Sequence, residues 1–204
     1  MIRKWIAGIL IVVGLAVMSV PLYYRITGSR KSDEMIERFE HMIEQETITG
    51  HEEKEDCGQE KAEADISEED TATLSKEEVI GLIEIEALDI KYAVLEGTGS
   101  HELSCGIGHI PDTAAIGERG NCVLAGHNGR RHSTFFTNLK NIQTGDVVKL
   151  TDKKGSQYFY QAESMKVVGP YDNSVKEQGE EAELTLITCA NKGTMRLIVK
   201  CLFR

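Results

Sequence analysis

The chain has no excess of positive charge: 23 lysines and arginines stand against 33 aspartates and glutamates, a formal net charge of −10. A general nucleic-acid binder presents a basic face, and none is evident here. There is no CxxC pair and no Cys/His spacing of the kind that holds zinc, so the five cysteines do not read as a metal module. No DxDxDG loop is present for calcium, and no segment repeats at a fixed period. What remains is a chain of 204 residues, enough for one domain of ordinary size plus accessory segments.

The acidity is local. Residues 1–32 carry Arg3, Lys4, Arg25, Arg30 and Lys31, a charge of +5; residues 33–78 hold 18 acids and 4 bases; residues 79–204 are nearly neutral at −1. Three segments follow from this: a membrane anchor with basic flanks over 1–32, an acidic and partly helical tether over 33–78, and a catalytic or binding domain over 79–204. From Trp5 to Tyr24 no charge occurs, about the length a helix needs to cross a bilayer core. Trp5, Tyr23 and Tyr24 sit where interfacial aromatics are favoured. A cleaved signal peptide is the competing reading. The length of the apolar run, and the lack of a small-x-small site after it, favour an uncleaved transmembrane helix. The flanking positive charge is nearly balanced and does not decide its orientation. In the tether, Met35, Ile36, Phe39, Met42 and Ile43 recur at helical spacing and predict a short amphipathic helix. The stretch after Gly50 has too few apolar residues to offset chain entropy and reads as solvated; Cys57 falls within it.

From Val79 onward the texture becomes short β-type runs between turn residues: 79–86, 90–97, 121–127, 146–151, 157–168, 184–189 and 196–203. This pattern predicts an all-β sandwich or barrel, with one short helical piece around Ser133–Leu139. The last two runs, in TLITCANKGTMRLIVKC, carry the chemistry. If they pair as a hairpin, Cys189 and Arg196 close the loop between them, and opposed residues in an antiparallel pair have Cβ atoms about 5 Å apart. Alternation puts Thr185, Ile187 and Cys189 on one face, and Arg196 with Ile198 and Lys200 on the matching face. Arg196 then reads in two ways, as a cap on the sheet edge or as an anion-stabilising partner of a thiol. A free thiol is only a few per cent thiolate at neutral pH, so a nucleophile needs a base. His41 and His51 lie in the tether, His101 and His109 read as loop residues, and His132 follows two arginines in a polar loop. His127 differs, because it directly follows the apolar run CVLAG between Gly126 and Gly129, at the end of a predicted central strand.

With these residues in view the chain resembles the sortases, membrane-anchored cysteine transpeptidases of Gram-positive bacteria. TLITC at 185–189 resembles the TLxTC signature, GNCVLAGH the histidine strand, RLIVKC the arginine strand, and GLIEIEALDIKYAVLEG the opening strands. The resemblance covers most of 80–203. It implies a closed eight-stranded β-barrel with short helices, preceded by an N-terminal transmembrane helix. It implies Cys189 as nucleophile on the Thr–Gly bond of an LPxTG-like signal, His127 as acid/base, and Arg196 as the group that holds substrate and stabilises the oxyanion. The implied partners are surface proteins bearing that signal, a peptidoglycan-precursor amine as acceptor, and the membrane. The implied location is the cell membrane, single-pass, with the N-terminus cytoplasmic and the catalytic domain extracellular.

The short connection between the last two strands and the wording GHIPDTAAIGERGNCVLAGH look most like class D, with class A behind; the lack of an Asp-Pro-aromatic lid and of a C-terminal membrane segment disfavours the pilin-polymerising class. No cofactor is expected. Glu177, Glu180, Glu181 and Glu183 do not form an EF-hand pattern and read as a solvated acidic loop, although some class A members use calcium. Cys105 reads as a loop residue, and Cys122 and Cys201 as half-buried strand residues. The alternative from another class is a membrane-tethered β-barrel that only binds a wall or protein ligand.

Overall fold

The strongest alternation in the sequence lies in the second half, and it builds the longest strands of the barrel. A computed structural model describes residues 33–44, 79–129 and 135–204. Within them are an N-terminal helix α1 (33–44) and the elements β1 (Val79–Ile85), β2 (Ile90–Glu96), α2 (Ser100–Cys105), β3 (Ile107–His109), β4 (Gly120–Gly126), β5 (Val147–Asp152), β6 (Gln157–Val168), β7 (Ala182–Ala190) and β8 (Met195–Phe203). The strands close into a barrel in the order β1-β2-β3-β4-β7-β8-β6-β5, with β5 returning to β1. An all-β closed eight-stranded barrel with short helices is what the resemblance implied, where the strand-like runs alone left sandwich and barrel open.

Side-chain alternation divides each strand between a sealed interior and an outer face. On β7, Leu184 and Leu186 are fully buried in the core with Leu124 of β4 and Val199 of β8. β4 runs parallel to β7 and β8 antiparallel to it, so β7 is a central strand with partners along both edges. Parallel pairing needs a long crossover, here the whole stretch from Gly126 to Ala182.

Several local expectations are corrected. His101 and Cys105 lie on α2, and His109 on β3, rather than in a loop. A three-residue strand is too short to show periodicity; β3 exists because it pairs parallel with β2 and antiparallel with β4. Buried His109 sets Nδ1 3.0 Å from Glu96 Oε2 and Nε2 3.0 Å from the Ala114 carbonyl, tying β3 to β2 and to the loop before β4. The helical piece expected around Ser133–Leu139 is instead a turn over 135–138 followed by a 3-10 helix at Leu139–Asn141; residues 133 and 134 lie outside the described set.

The helix expected in the tether is present, but it is not free of the domain. Met35 and Phe39 are buried, Met35 against Ala93 and Leu95 of β2 and Cys105 of α2. Glu40 pairs with Lys91 of β2 at 2.6 Å. At Gly155, with φ +78°, a Cβ would stand 2.7 Å from Ile43 Cγ2, so glycine serves both the turn and the helix contact. The predicted transmembrane segment, the acidic stretch 45–78 and Cys57 lie outside the described residues. Among the described residues no helix is long and apolar enough to cross a membrane.

Cys122 and Cys201 are sealed, not half-buried: both point into the core, flanking Leu184 across β4 and β8. Burial pushes both thiols up to about 12, with the Glu96 charge adding to the effect at Cys122. Unfolded, each thiol ionises near its ordinary value of about 8.5. The folded state therefore holds protons that the unfolded state has released, and stability must fall as pH rises between about 9 and 12, by roughly 1.4 kcal/mol per pH unit for each thiol. Urea denaturation at pH 8 and pH 10 should show this loss, and the dependence should be shallower in Cys201→Ala.

Candidate active site

The hairpin β7–β8 sets Cys189 directly opposite Arg196, with Ala190 opposite Met195 as the last pair. Both side chains are half-buried. On their face the next pairs inward are Ile187 with Ile198 and Thr185 with Lys200, as alternation required. The turn between the strands, Asn191–Gly193, runs through three left-handed residues, with φ of 47°, 58° and 94°. Arg196 steadies it: Nη1 donates to the carbonyls of Gly193 at 2.9 Å and Met195 at 3.0 Å.

His127 arrives from the other side. The β4–β7 register ends at Gly126 opposite Thr188, so one further residue brings His127 beside Cys189, at a strand spacing of about 4.8 Å. His127 is exposed. Gly126 is required where it stands, because a Cβ there would lie 2.6 Å from Phe136 Cδ2 and 2.7 Å from Ile107 Cδ1. Those contacts, with the Phe136 N–H donating to the His127 carbonyl at 3.0 Å, fix the backbone at the histidine. Thus Cys189 and Arg196 lie on adjoining strand ends, with His127 one residue past the end of β4.

Two residues that sequence reasoning missed bind these ends together. Thr188 Oγ1 donates to the Gly126 carbonyl at 2.7 Å, and Asn128 Nδ2 donates to the Cys189 carbonyl at 2.7 Å. The signal for Asn128 was its place next to His127, but nothing in the sequence reveals a bond across 61 positions. Loss of that exposed hydrogen bond should barely change Tm. It should lower kcat/KM about tenfold in Asn128→Ala, the effect of roughly 1.4 kcal/mol at the alignment of histidine and thiol. Asn128→Asp, which sets a carboxylate against the carbonyl, should be worse; equal kinetics in all three proteins would remove the positioning role.

The glutamates before the nucleophile strand do not act as one group. Glu183 is on β7 and pairs with Lys200 at 3.0 Å, and among the described residues no three His, Cys, Asp or Glu side chains converge as a metal site. The other described cysteines, Cys105, Cys122 and Cys201, are buried and form no disulfide, which leaves Cys189 as the accessible one among them.

A closed barrel with a half-exposed thiol, a histidine and an arginine at neighbouring strand ends has the groups that nucleophilic cysteine chemistry needs. Residues 83–203 match the sortase domain family, and the chain belongs to it. It is similar to sortase A of Bacillus anthracis, 27% identical over 91% of this chain and 86% of that protein. It is also similar to sortase D of Bacillus subtilis, 32% identical over 53% of each. Among solved structures, a sortase D5 transpeptidase of Clostridium perfringens superposes with a TM-score of 0.62 at 28% identity, covering 86% of this chain and 97% of that one. As a sortase, the protein acts on sorting-signal substrates and uses amine acceptors.

Proposed function

We propose that this sortase cleaves an LPxTG-like signal between Thr and Gly through Cys189 and passes the acyl group to a cell-wall amine. The Cys189 thiolate attacks the threonine carbonyl carbon, and the carbonyl π electrons move to oxygen. The Arg196 guanidinium, permanently charged, stabilises that oxyanion. Collapse breaks the C–N bond, and the glycine nitrogen takes a proton from the His127 imidazolium, leaving a thioester on Cys189. The acceptor amine then attacks the thioester, His127 removes its proton, and the thiolate departs. The observation that carries this reading is the direct opposition of Cys189 and Arg196 with His127 one residue beyond the β4–β7 register.

The reaction so written draws on side chains alone, without a cofactor. The subclass we favour is D, supported by the stretch GHIPDTAAIGERGNCVLAGH and by the similarity to sortase D of Bacillus subtilis and sortase D5 of Clostridium perfringens. We further propose a single-pass anchor over residues 5–24, supported by the charge-free run, with the N-terminus cytoplasmic and the barrel extracellular, facing surface proteins and a peptidoglycan-precursor amine. The test is mass spectrometry of the full chain in detergent with LPxTG peptides, followed by an amine such as triglycine. An adduct on Cys189 that moves to the amine is expected. No adduct with any peptide of this type, on folded protein, would overturn the proposal.

A further inference from the structure

The catalytic groups occupy one end of the barrel, and α1 is fastened at the other. Met35 clusters with Leu95, near the end of β2, and with Val79, at the start of β1. Ile43 lies over Gly155 in the β5–β6 turn. These contacts fall at the strand ends remote from Cys189 and Arg196, the end where β7 begins and β8 finishes. Eight residues, 25–32, separate the charge-free run from α1, a span of at most about 30 Å. Residues 45–78 leave α1 and rejoin β1 on this same wall, so they add nothing to that reach.

The surface at this end is apolar and basic. Four of the seven large hydrophobic side chains exposed among the described residues gather here: Met42 of α1, Phe159 of β6, and Leu202 and Phe203 of β8. Phe159 is 42% exposed and Phe203 51%. They are neighbours, because the Arg204 N–H donates to the Phe159 carbonyl at 2.9 Å and Phe203 stands opposite Tyr160. Lys153 and Lys154 are exposed on the adjoining β5–β6 turn. Asp152, the acid of that turn, is occupied within it. It accepts from the Lys154 and Ser156 N–H groups at 2.9 Å and from the Tyr158 hydroxyl at 3.0 Å. A single exposed apolar residue needs no explanation. Grouped aromatics beside lysines suit a bilayer interface, where rings sit at headgroup level and amines reach the phosphates.

We propose that this end of the barrel is a membrane-docking surface, with Phe159, Leu202 and Phe203 seated on the bilayer and Lys153 and Lys154 at its anionic headgroups. The inference rests on the anchor reading above, which places residues 5–24 in that bilayer. The short link to α1 brings this end down to the lipid. Glu180 and Glu181, exposed at the same end on the β7 side, are repelled by anionic headgroups and tilt the contact toward β6 and β8. A strand of nine residues such as β7 spans about 30 Å, so Cys189 is carried roughly that far above the surface and faces away from it. Docking thus fixes the height and direction of the site without touching its chemistry.

The test uses the full chain in vesicles of equal parts phosphatidylcholine and phosphatidylglycerol, on a Cys57→Ser/Cys189→Ala background. A thiol-reactive fluorophore is placed at Ser156→Cys, in the docking turn, or at Lys192→Cys, in the turn beside the site. Nitroxides on the lipid headgroups should quench the first at least about fivefold more than the second, because interfacial contacts lie within about 10 Å of the headgroup boundary. Adding Phe159→Asp and Lys154→Glu should bring the first down to the level of the second. Tm should hold, and with Cys189 restored, turnover of a soluble LPxTG peptide should stay within about twofold, as for surface substitutions away from the site. Undiminished quenching in that variant would show that the link to α1 alone seats the barrel, and would overturn the docking surface. Equal quenching at the two positions, on vesicles that carry the chain, would also overturn it while leaving the anchor standing. A chain that does not float with the vesicles overturns anchor and docking surface together.

Discussion

Replacing Cys189 by alanine is expected to abolish transpeptidation, lowering turnover by a factor on the order of 10⁴ or more, the scale on which loss of an enzyme nucleophile is measured. The acyl adduct should vanish with it, while peptide binding stays within a few-fold of the parent. Among the described residues no other thiol is placed to substitute. Cys122 and Cys201 lie inside the barrel, with burial pushing both up to about 12, and Cys105, on α2, is buried with Met35 of α1 and Ala93 and Leu95 of β2. The fold should tolerate the change, because Cys189 sits near a strand end and is only half-buried. Peptide turnover followed by chromatography, beside Tm by circular dichroism, separates lost chemistry from lost structure. A binding module would keep its ligand and would have had no turnover to lose. Residual turnover above about 1%, with an intact Tm, would move the nucleophile elsewhere.

The hairpin that opposes Cys189 to Arg196 could be read directly from the chain, because two alternating runs separated by a short Gly-containing loop have few ways to pair. The observed β6, β7 and β8 accordingly fall on the expected runs, within one or two residues at their ends. His127 was a different matter. Its neighbour in space is set by a parallel pairing of β4 with β7 across more than fifty residues, which no local pattern encodes; its place after CVLAG at a predicted strand end nominated it, and the family resemblance agreed. The helix 33–44 was visible in its period, but its cover, Ala93 and Leu95 on the outer face of β2, was not, since strand alternation alone does not say which element covers a face. The glutamate-rich segment before β7 looked solvated by composition. Its order comes from Asn121 and Gln178, two amides that hold it through backbone groups, contacts that leave no trace in residue type. Cys122 and Cys201 were read as half-buried because a strand has two faces; closure of the barrel makes the inner one fully dry.

The change from Arg196 to lysine is the sharper test of how the site handles charge. It preserves the positive charge, so a purely Coulombic role predicts near-normal turnover. The geometry argues otherwise. Arg196 Nη1 is engaged with the carbonyls of Gly193 and Met195, holding a turn whose three residues are all left-handed. A guanidinium has five N–H donors in a rigid fork, so one arm can hold the turn while the other meets the developing oxyanion. An ammonium is a single point on a flexible stem: drawn to the turn carbonyls it leaves the oxyanion, and drawn to the oxyanion it releases the turn. Loss of one oriented donor to an oxyanion typically costs about 10²–10³ in kcat. Arg196→Lys should therefore lower kcat by that factor, with KM changed only a few-fold and Tm slightly reduced. Steady-state kinetics on an LPxTG peptide measures it; a kcat within threefold of the parent would show that charge alone suffices and would discard the fork.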